Sequence, residues 1–230
     1  MTRDPIPHSA IPSKLAKSKE RYPPPTLLPV TEEDIPALAR IGLTSTRNEL
    51  LFSSPLFWAS PTIHYDYLVN FIKTKLALPS WQFIKALDPE TQQIIAWGAS
   101  NINEANWAET PDHFDTSTLS GFLNNKYTSV QREWFTGRRF LYLAALFTEP
   151  GFQGRGVGTS VIEEVAHRRA DREGLVSYLQ GTAVATPFYV ARGWQPVERF
   201  EVDLKTWVKG DGMGYGFYKV GYMVRLPLET

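Results

Sequence analysis

No cysteine occurs among the 230 residues. That absence excludes disulfides, thiol nucleophiles, iron–sulfur clusters and cysteine-based zinc sites. The longest unbroken apolar run is Phe140–Phe147, eight residues, and a membrane-spanning helix needs about 20. The amino-terminal stretch also lacks the apolar core of a signal peptide, so the expectation is a cytoplasmic protein with no membrane attachment. Neither charge sign is in excess, since 24 Lys and Arg face 24 Asp and Glu. A nucleic-acid binder carries a basic surplus and a membrane-surface protein a polybasic patch, so neither partner is expected. The four histidines, His8, His64, His113 and His167, show no H-x-x-x-H spacing, and no metal site is expected. His167, beside Arg168 and Arg169, reads as part of a solvated helix face. No G-x-S-x-G nucleophile elbow is present. With 43% hydrophobic and 21% charged residues, the chain has the make-up of a globular protein long enough to bury its own core.

The prolines divide the chain. Residues 1–25 hold Pro5, Pro7, Pro12 and Pro23–Pro25 and few large apolar groups, which predicts a flexible tail. One domain is expected over 26–230. Leu27, Leu28 and Val30 suggest a short strand. Thr31 and Asp34 are spaced close to a capping box for a helix that Gly42 ends. Tyr65, Leu68, Val69, Ile72 and Leu76 fall at helical intervals. Trp81–Leu87 and Ile94–Ala99 flank the turn Asp88-Pro89-Glu90-Thr91 as a hairpin. Residues 101–137 read as an insertion with a helix from Leu119 to Phe135. Phe140–Phe147 is apolar on both faces, as in a central strand. A helix from about Gly156 to Glu173, a strand at Leu175–Leu179, a short helix around Pro187–Arg192 and two alternating strands near Phe200 and Tyr222 follow.

The most informative segment is Leu141–Gly158, LYLAALFTEPGFQGRGVG. A buried strand runs into a turn holding Gly154, Gly156 and Gly158 and then into a helix. Glycines let backbone N–H groups approach a ligand, and the helix start adds unpaired donors and a positive dipole end, an arrangement suited to phosphate. Arg155 adds a charge. The spacing is neither the dinucleotide fingerprint, because position 159 is Thr, nor a P-loop, because no Lys-Ser/Thr pair closes it.

What stands there is Gln153-x-x-Gly156-x-Gly158. It resembles the Q/R-x-x-G-x-G/A acetyl-CoA signature of the GNAT superfamily of N-acetyltransferases. A second stretch is similar to that family's N-x-x-A-x-x-x-Y-x-x-x-G-F/W pattern. Here it reads Thr182, Ala185, Tyr189, Gly193 and Trp194, with Thr in place of Asn. Ala170-Asp171, Gly174 and Tyr178-Leu179 look like fungal members. The resemblance covers about residues 26–228, with both motifs inside 141–194.

The resemblance implies an α/β fold with a central mixed, mostly antiparallel sheet of about six or seven strands flanked by helices. It implies acetyl-CoA as donor and direct transfer to an amine of a small molecule or peptide, by a monomer or homodimer. Backbone at Leu146, Phe147 and Thr148 would pair with the pantetheine arm, and a bulge there would free an N–H to hold the thioester carbonyl. Gln153, Gly154, Arg155, Gly156, Val157, Gly158 and Thr159 would cradle the pyrophosphate. Tyr189 would assist the departing thiolate. A free phenol, near pKa 10, is a weaker acid than a thiol near 8.5, so the role is a tightening hydrogen bond, or else the phenol's pKa is lowered locally. Glu149 and Glu104 are candidate bases, and Phe57, Trp58, Trp107 and Trp207 candidate acceptor-pocket aromatics. The alternative is a non-catalytic CoA-binding member of the fold.

Overall fold

The computed structural model describes residues 22–49, 60–107, 114–208 and 216–228. The described residues form one seven-stranded sheet: β1 (Thr26–Pro29), β2 (Trp81–Leu87), β3 (Ile94–Asn103), β4 (Phe140–Thr148), β5 (Ser177–Thr182), β6 (Gln195–Asp203) and β7 (Phe217–Arg225). The spatial order is β1-β2-β3-β4-β5-β7-β6. Every pairing is antiparallel except β4 with β5, as expected for the mixed sheet.

The chain enters α1 (Ile35–Ser45) through a single 3-10 turn. Thr31 N donates to Asp34 Oδ2 at 2.7 Å, the expected capping interaction. Gly42 does not end this helix, which runs on to Ser45. A Cβ there would lie 2.8 Å from Leu68 Cδ1, so the glycine's use is the close approach of α2 (Pro61–Leu76). Leu38, Ile41 and Ile72 pack with Phe83, Trp97 and Ala145 on one face of the sheet, and Trp97 Nε1 donates to Leu38 O at 2.9 Å.

The opposite face is covered by a helix continuous from Val157 to Glu173. It comprises α4 (Val157–Ile162), a π-helical stretch Glu163–His167 and α5 (Arg168–Glu173). The wider turns free a carbonyl, and Ser100 Oγ donates to Val165 O at 2.6 Å. Val157, Val161, Ile162 and Val165 pack there against Ile84, Ile95, Leu141 and Leu143. His167 corrects the solvated-face expectation. It is 3% exposed, because the π stretch rotates it inward. Its Nε2 accepts from Trp194 Nε1 at 2.9 Å, which leaves Nδ1 to donate to Glu163 Oε1 at 2.9 Å. Burial holds its pKa below the usual histidine value.

The insertion starts later than expected, since residues 101–103 belong to β3 and pair with Tyr142, Leu141 and Phe140. Its helix α3 (Leu119–Phe135) has the expected bounds and packs Leu119 and Leu123 on Val202, Tyr218 and Val220. The strand expected at Leu175–Leu179 lies at β5, two residues on, and α6 (Thr186–Val190) begins one residue early. Residues 1–21, most of the glycine-rich loop 210–216, Phe57 and Trp58 lie outside the described residues.

Candidate active site

The site begins with a parting of strands. β4 and β5 pair only at Leu141–Ser177 and Tyr142–Tyr178, while β5 stays hydrogen-bonded to β7 along its whole length. Beyond Tyr142 the two strands diverge. Tyr142 Oη donates to Gln180 Oε1 at 2.7 Å, and Gln180 Nε2 donates to Tyr178 Oη at 3.2 Å, which closes the fork. Above it lies a cavity of about 690 Å³, bounded by β4 from Leu143 to Thr148, β5 from Gln180 to Thr182, the glycine turn, α6 and the end of α1. Along this stretch one edge of β4 has no neighbouring strand among the described residues.

The bulge falls at Ala144, not at Leu146–Thr148. Ala99 opposes Ala145 and Ser100 opposes Leu143, leaving Ala144 without a partner. The extra residue switches the side-chain alternation. Leu141 and Leu143 before it, and Leu146 after it, all pack on the α4 face, while Ala145 and Phe147 turn to the α1 face. Phe147 thus puts its ring on Trp97, with centroids 5.0 Å apart.

The turn after β4 is shaped by two residues in the left-handed region, Gly154 (φ 72°) and Gly156 (φ 88°), a conformation that favours glycine. Gly156 is the N-cap of α4. The first helical hydrogen bond runs from Ser160 N to Gly156 O at 3.1 Å, so the N–H groups of Val157, Gly158 and Thr159 have no acceptor within the helix. Gln153, Gly154, Gly156, Gly158 and Thr159 line the cavity. Two expected residues, Val157 and Arg155, are off the cavity wall. Val157 is fully buried in the core. Gln153, though it lines the cavity, spends its amide on the loop, with Nε2 donating to Thr148 O at 3.0 Å.

Arg155 is the second residue off the cavity wall. Its guanidinium lies 5.4 Å from the ring centres of both Tyr22 and Phe152, and those rings meet edge to face at 5.9 Å. Tyr22 Oη donates to Asp88 Oδ1 at 2.5 Å. Burial, then this hydrogen bond, pushes the phenol up to about 12. Tyr22 falls inside the expected tail, yet it packs against the domain. Ordered structure therefore starts before Thr26, because an aromatic ring and a phenol find partners on the β2–β3 turn and the glycine turn. Tyr22→Ala is expected to remove an aromatic pair worth about 0.5–1.5 kcal/mol and lower Tm by a few degrees, which thermal melting reads. An unchanged Tm would place the domain boundary back at residue 26.

Tyr189 lines the cavity from α6. Its ring packs edge to face on Trp194 at 6.0 Å and lies under Gly181. Among the described residues its hydroxyl makes no hydrogen bond. Burial raises its pKa above the usual phenol value, contrary to a local lowering, because desolvation disfavours the charged phenolate. The phenol is a neutral donor across any working pH.

The two candidate bases both lie elsewhere. Glu104 follows β3 at the far end of β4 and pairs with Arg139 Nε at 2.9 Å. Glu149 accepts from Thr44 Oγ1 at 3.1 Å, tying β4 to α1, and is not part of the cavity wall. Trp107 stacks edge to face on Phe140 at 5.6 Å, and Trp207 packs on Phe122 at 5.3 Å, so neither is at the cavity. The carboxylate that is there is Glu49, in the turn after α1. Its Oε1 accepts from Thr182 Oγ1 at 3.2 Å. It also adds to the upward shift of Tyr218, whose first cause is burial. Among the described residues lining the cavity, Glu49 is the sole acid and Arg192 the sole base. No motif marks either one: Glu49 stands in an unpatterned turn, and Arg192 occupies an unspecified position between Tyr189 and Gly193.

No described helix is long and apolar enough to cross a membrane. No curated protein matches the chain in sequence. Solved structures match it in fold. An acetyltransferase of the histone acetyltransferase group from Corynebacterium glutamicum is 17% identical with a TM-score of 0.58, covering 90% of this chain and 98% of that one. A phosphinothricin acetyltransferase from Sinorhizobium meliloti in complex with acetyl-CoA is 14% identical, with TM-score 0.55 and coverage of 88% and 89%. An N-acetyltransferase from Thermoplasma acidophilum in complex with coenzyme A is 13% identical, with TM-score 0.52 and coverage of 87% and 98%. The model of the acetyltransferase (GNAT) family matches residues 76–194, just over half of the chain and the stretch that carries the parted strands, the glycine turn and Tyr189. The chain belongs to the acetyltransferase (GNAT) family and is an acyltransferase.

Proposed function

We propose that this acyltransferase moves an acetyl group from acetyl-CoA directly to an amine, with Glu49 as the base and Tyr189 as the donor to the leaving sulfur. The observation that carries the reading is the parting of β4 and β5 over a cavity that has the glycine turn at one end and Glu49 and Tyr189 on its walls. The residues suit a CoA-type ligand. The edge of β4 from Leu143 to Thr148 has no neighbouring strand among the described residues and offers backbone donors and acceptors to an extended amide chain. The left-handed glycines keep side chains away from the start of α4, where free N–H groups suit a pyrophosphate.

Acetyl-CoA supplies the acetyl group and a thiolate leaving group. An amine acceptor is mostly ammonium near neutral pH and must lose a proton before it can attack. Glu49, the sole acid among the described residues lining the cavity, attracts that cation and takes the proton. Thr182 holds the carboxylate by its hydroxyl. Tyr189, kept protonated by burial, gives a hydrogen bond that strengthens as negative charge builds on sulfur. A phenol shifted upward is too weak an acid to hand over its proton fully, so the hydrogen bond, and not a completed transfer, is its part. Two of the solved structures similar in fold hold CoA or acetyl-CoA, which favours the donor. The acceptor class rests on Glu49.

The test is release of free thiol from acetyl-CoA across a panel of primary amines, amino-terminal peptides and neutral alcohols. Turnover with amines and none with alcohols is expected. Thiol release that no amine accelerates would end the transferase reading with an amine acceptor.

A further inference from the structure

Arg192 is the one cationic side chain among the described residues that line the cavity, and its present partners leave its charge unanswered. The guanidinium lies flat on Phe188, 3.7 Å from the ring centre. Nη1 donates to Phe188 O at 2.7 Å. Nε and Nη2 both donate to one oxygen, Thr159 Oγ1, at 2.9 and 2.5 Å. That edge of an arginine is the one that grips a carboxylate or phosphate through two parallel hydrogen bonds. Here a single neutral hydroxyl occupies it. Among the described residues no carboxylate lies within ion-pair distance, and Glu163 acts on it only from farther away. Thr159 lies in the first turn of α4, directly after the glycine turn, and Phe188 lies over that helix start, 3.5 Å from where a Cβ on Gly158 would be. The aromatic platform and the Nη1 bond to Phe188 O hold the fork in place there.

We propose that Arg192 is a ligand of the donor's pyrophosphate, its Nε–Nη2 edge exchanging the Thr159 hydroxyl for phosphate oxygens. This rests on the reading of the glycine turn as the CoA site. It adds a residue that the glycine motif does not contain, in the turn directly after α6, the helix that carries Tyr189. Binding of the pyrophosphate then draws on the turn that ends the short helix presenting the phenol to the sulfur. A purely structural role is the competing account: Arg192 would only brace α6 against α4.

The experiment is calorimetric titration of CoA and of 3′-dephospho-CoA into the full chain, the Arg192→Gln variant and the Arg192→Lys variant, at low and high salt. Arg192→Gln is expected to raise Kd about tenfold or more for both ligands, since charge-assisted bonds to phosphate are lost. It should also flatten the salt dependence of Kd, because one cation no longer faces the anion. Arg192→Lys should keep much of the salt dependence with weaker binding, lacking the fork. A Kd for Arg192→Gln within twofold of the parent overturns the proposal. So does a weakened Kd with undiminished salt dependence, which is the signature of a brace, and so does a loss seen with CoA but not with 3′-dephospho-CoA. If the parent itself binds no CoA, the reading of the site fails and takes this proposal with it. A parent that binds and an unaffected variant remove Arg192 alone.

Discussion

Replacing Tyr189 with Phe is expected to slow turnover about 10²–10³-fold, the usual range for loss of one preorganised hydrogen-bond donor to developing negative charge, equal to about 3–4 kcal/mol of barrier. The ring keeps its packing on Trp194, so Tm and CoA affinity should change little. The hydroxyl has no protein partner to lose among the described residues, and its removal leaves no donor or acceptor stranded. Steady-state turnover at saturating acceptor, beside CoA titration on the same protein, measures both halves. The pH profile adds a second check. Since burial raises the phenol's pKa, the donor form persists above the ordinary phenol range, and the parent's kcat should not fall on the alkaline side below about pH 10. Turnover within about threefold of the parent, without a pre-steady-state burst, would remove Tyr189 from the mechanism.

Glu49→Gln should lower kcat/KM for a cationic amine by about 10²–10⁴-fold near neutral pH, the range for one general base. The amide keeps the size of the side chain and an oxygen for the Thr182 hydroxyl, so a loss reports charge and basicity and not packing. Its pH dependence has a definite sign. Without a base in the site, only acceptor that is already neutral reacts. The variant's rate should then rise about tenfold per pH unit until the amine's own pKa, near 10 for a lysine-like amine, and approach the parent at high pH. A variant that stays slow by a constant factor at every pH would assign Glu49 to holding the acceptor and not to taking its proton. A variant as fast as the parent would send the search for the base back to the stretch 50–59, which follows Glu49 directly.

The glycine turn was legible because its chemistry is local. Gln153, Gly154, Gly156 and Gly158 are consecutive enough that strand, turn and helix start can be inferred from six residues, and the positive φ values at Gly154 and Gly156 are what that spacing asks for. Tyr189 was legible for the same reason, through its fixed distance from Gly193 and Trp194. The helix Leu119–Phe135 and the hairpin of β2 and β3 followed from hydrophobic periodicity alone.

The phase change at Ala144 was hidden. In FLYLAALF every residue is apolar, so no polar position marks which side each one faces, and only pairing with β3 shows that one residue is extra. The divergence of β4 from β5, which makes the cavity, is a relation between strands some 35 residues apart with no mark in either. His167 turned inward because a π stretch rotates it, and helical periodicity assumes that no such stretch occurs. Glu49 and Arg192 come from segments more than 140 residues apart, and each alone is one more surface-type charge in a sequence where 24 acids balance 24 bases. Sequence by itself determined the family, the turn suited to phosphate and the phenol, since each is written in contiguous spacing. Tertiary structure alone decided which of the carboxylates and guanidiniums meet at the cavity, because charge becomes chemistry only where folding brings it into a shared, partly desolvated space.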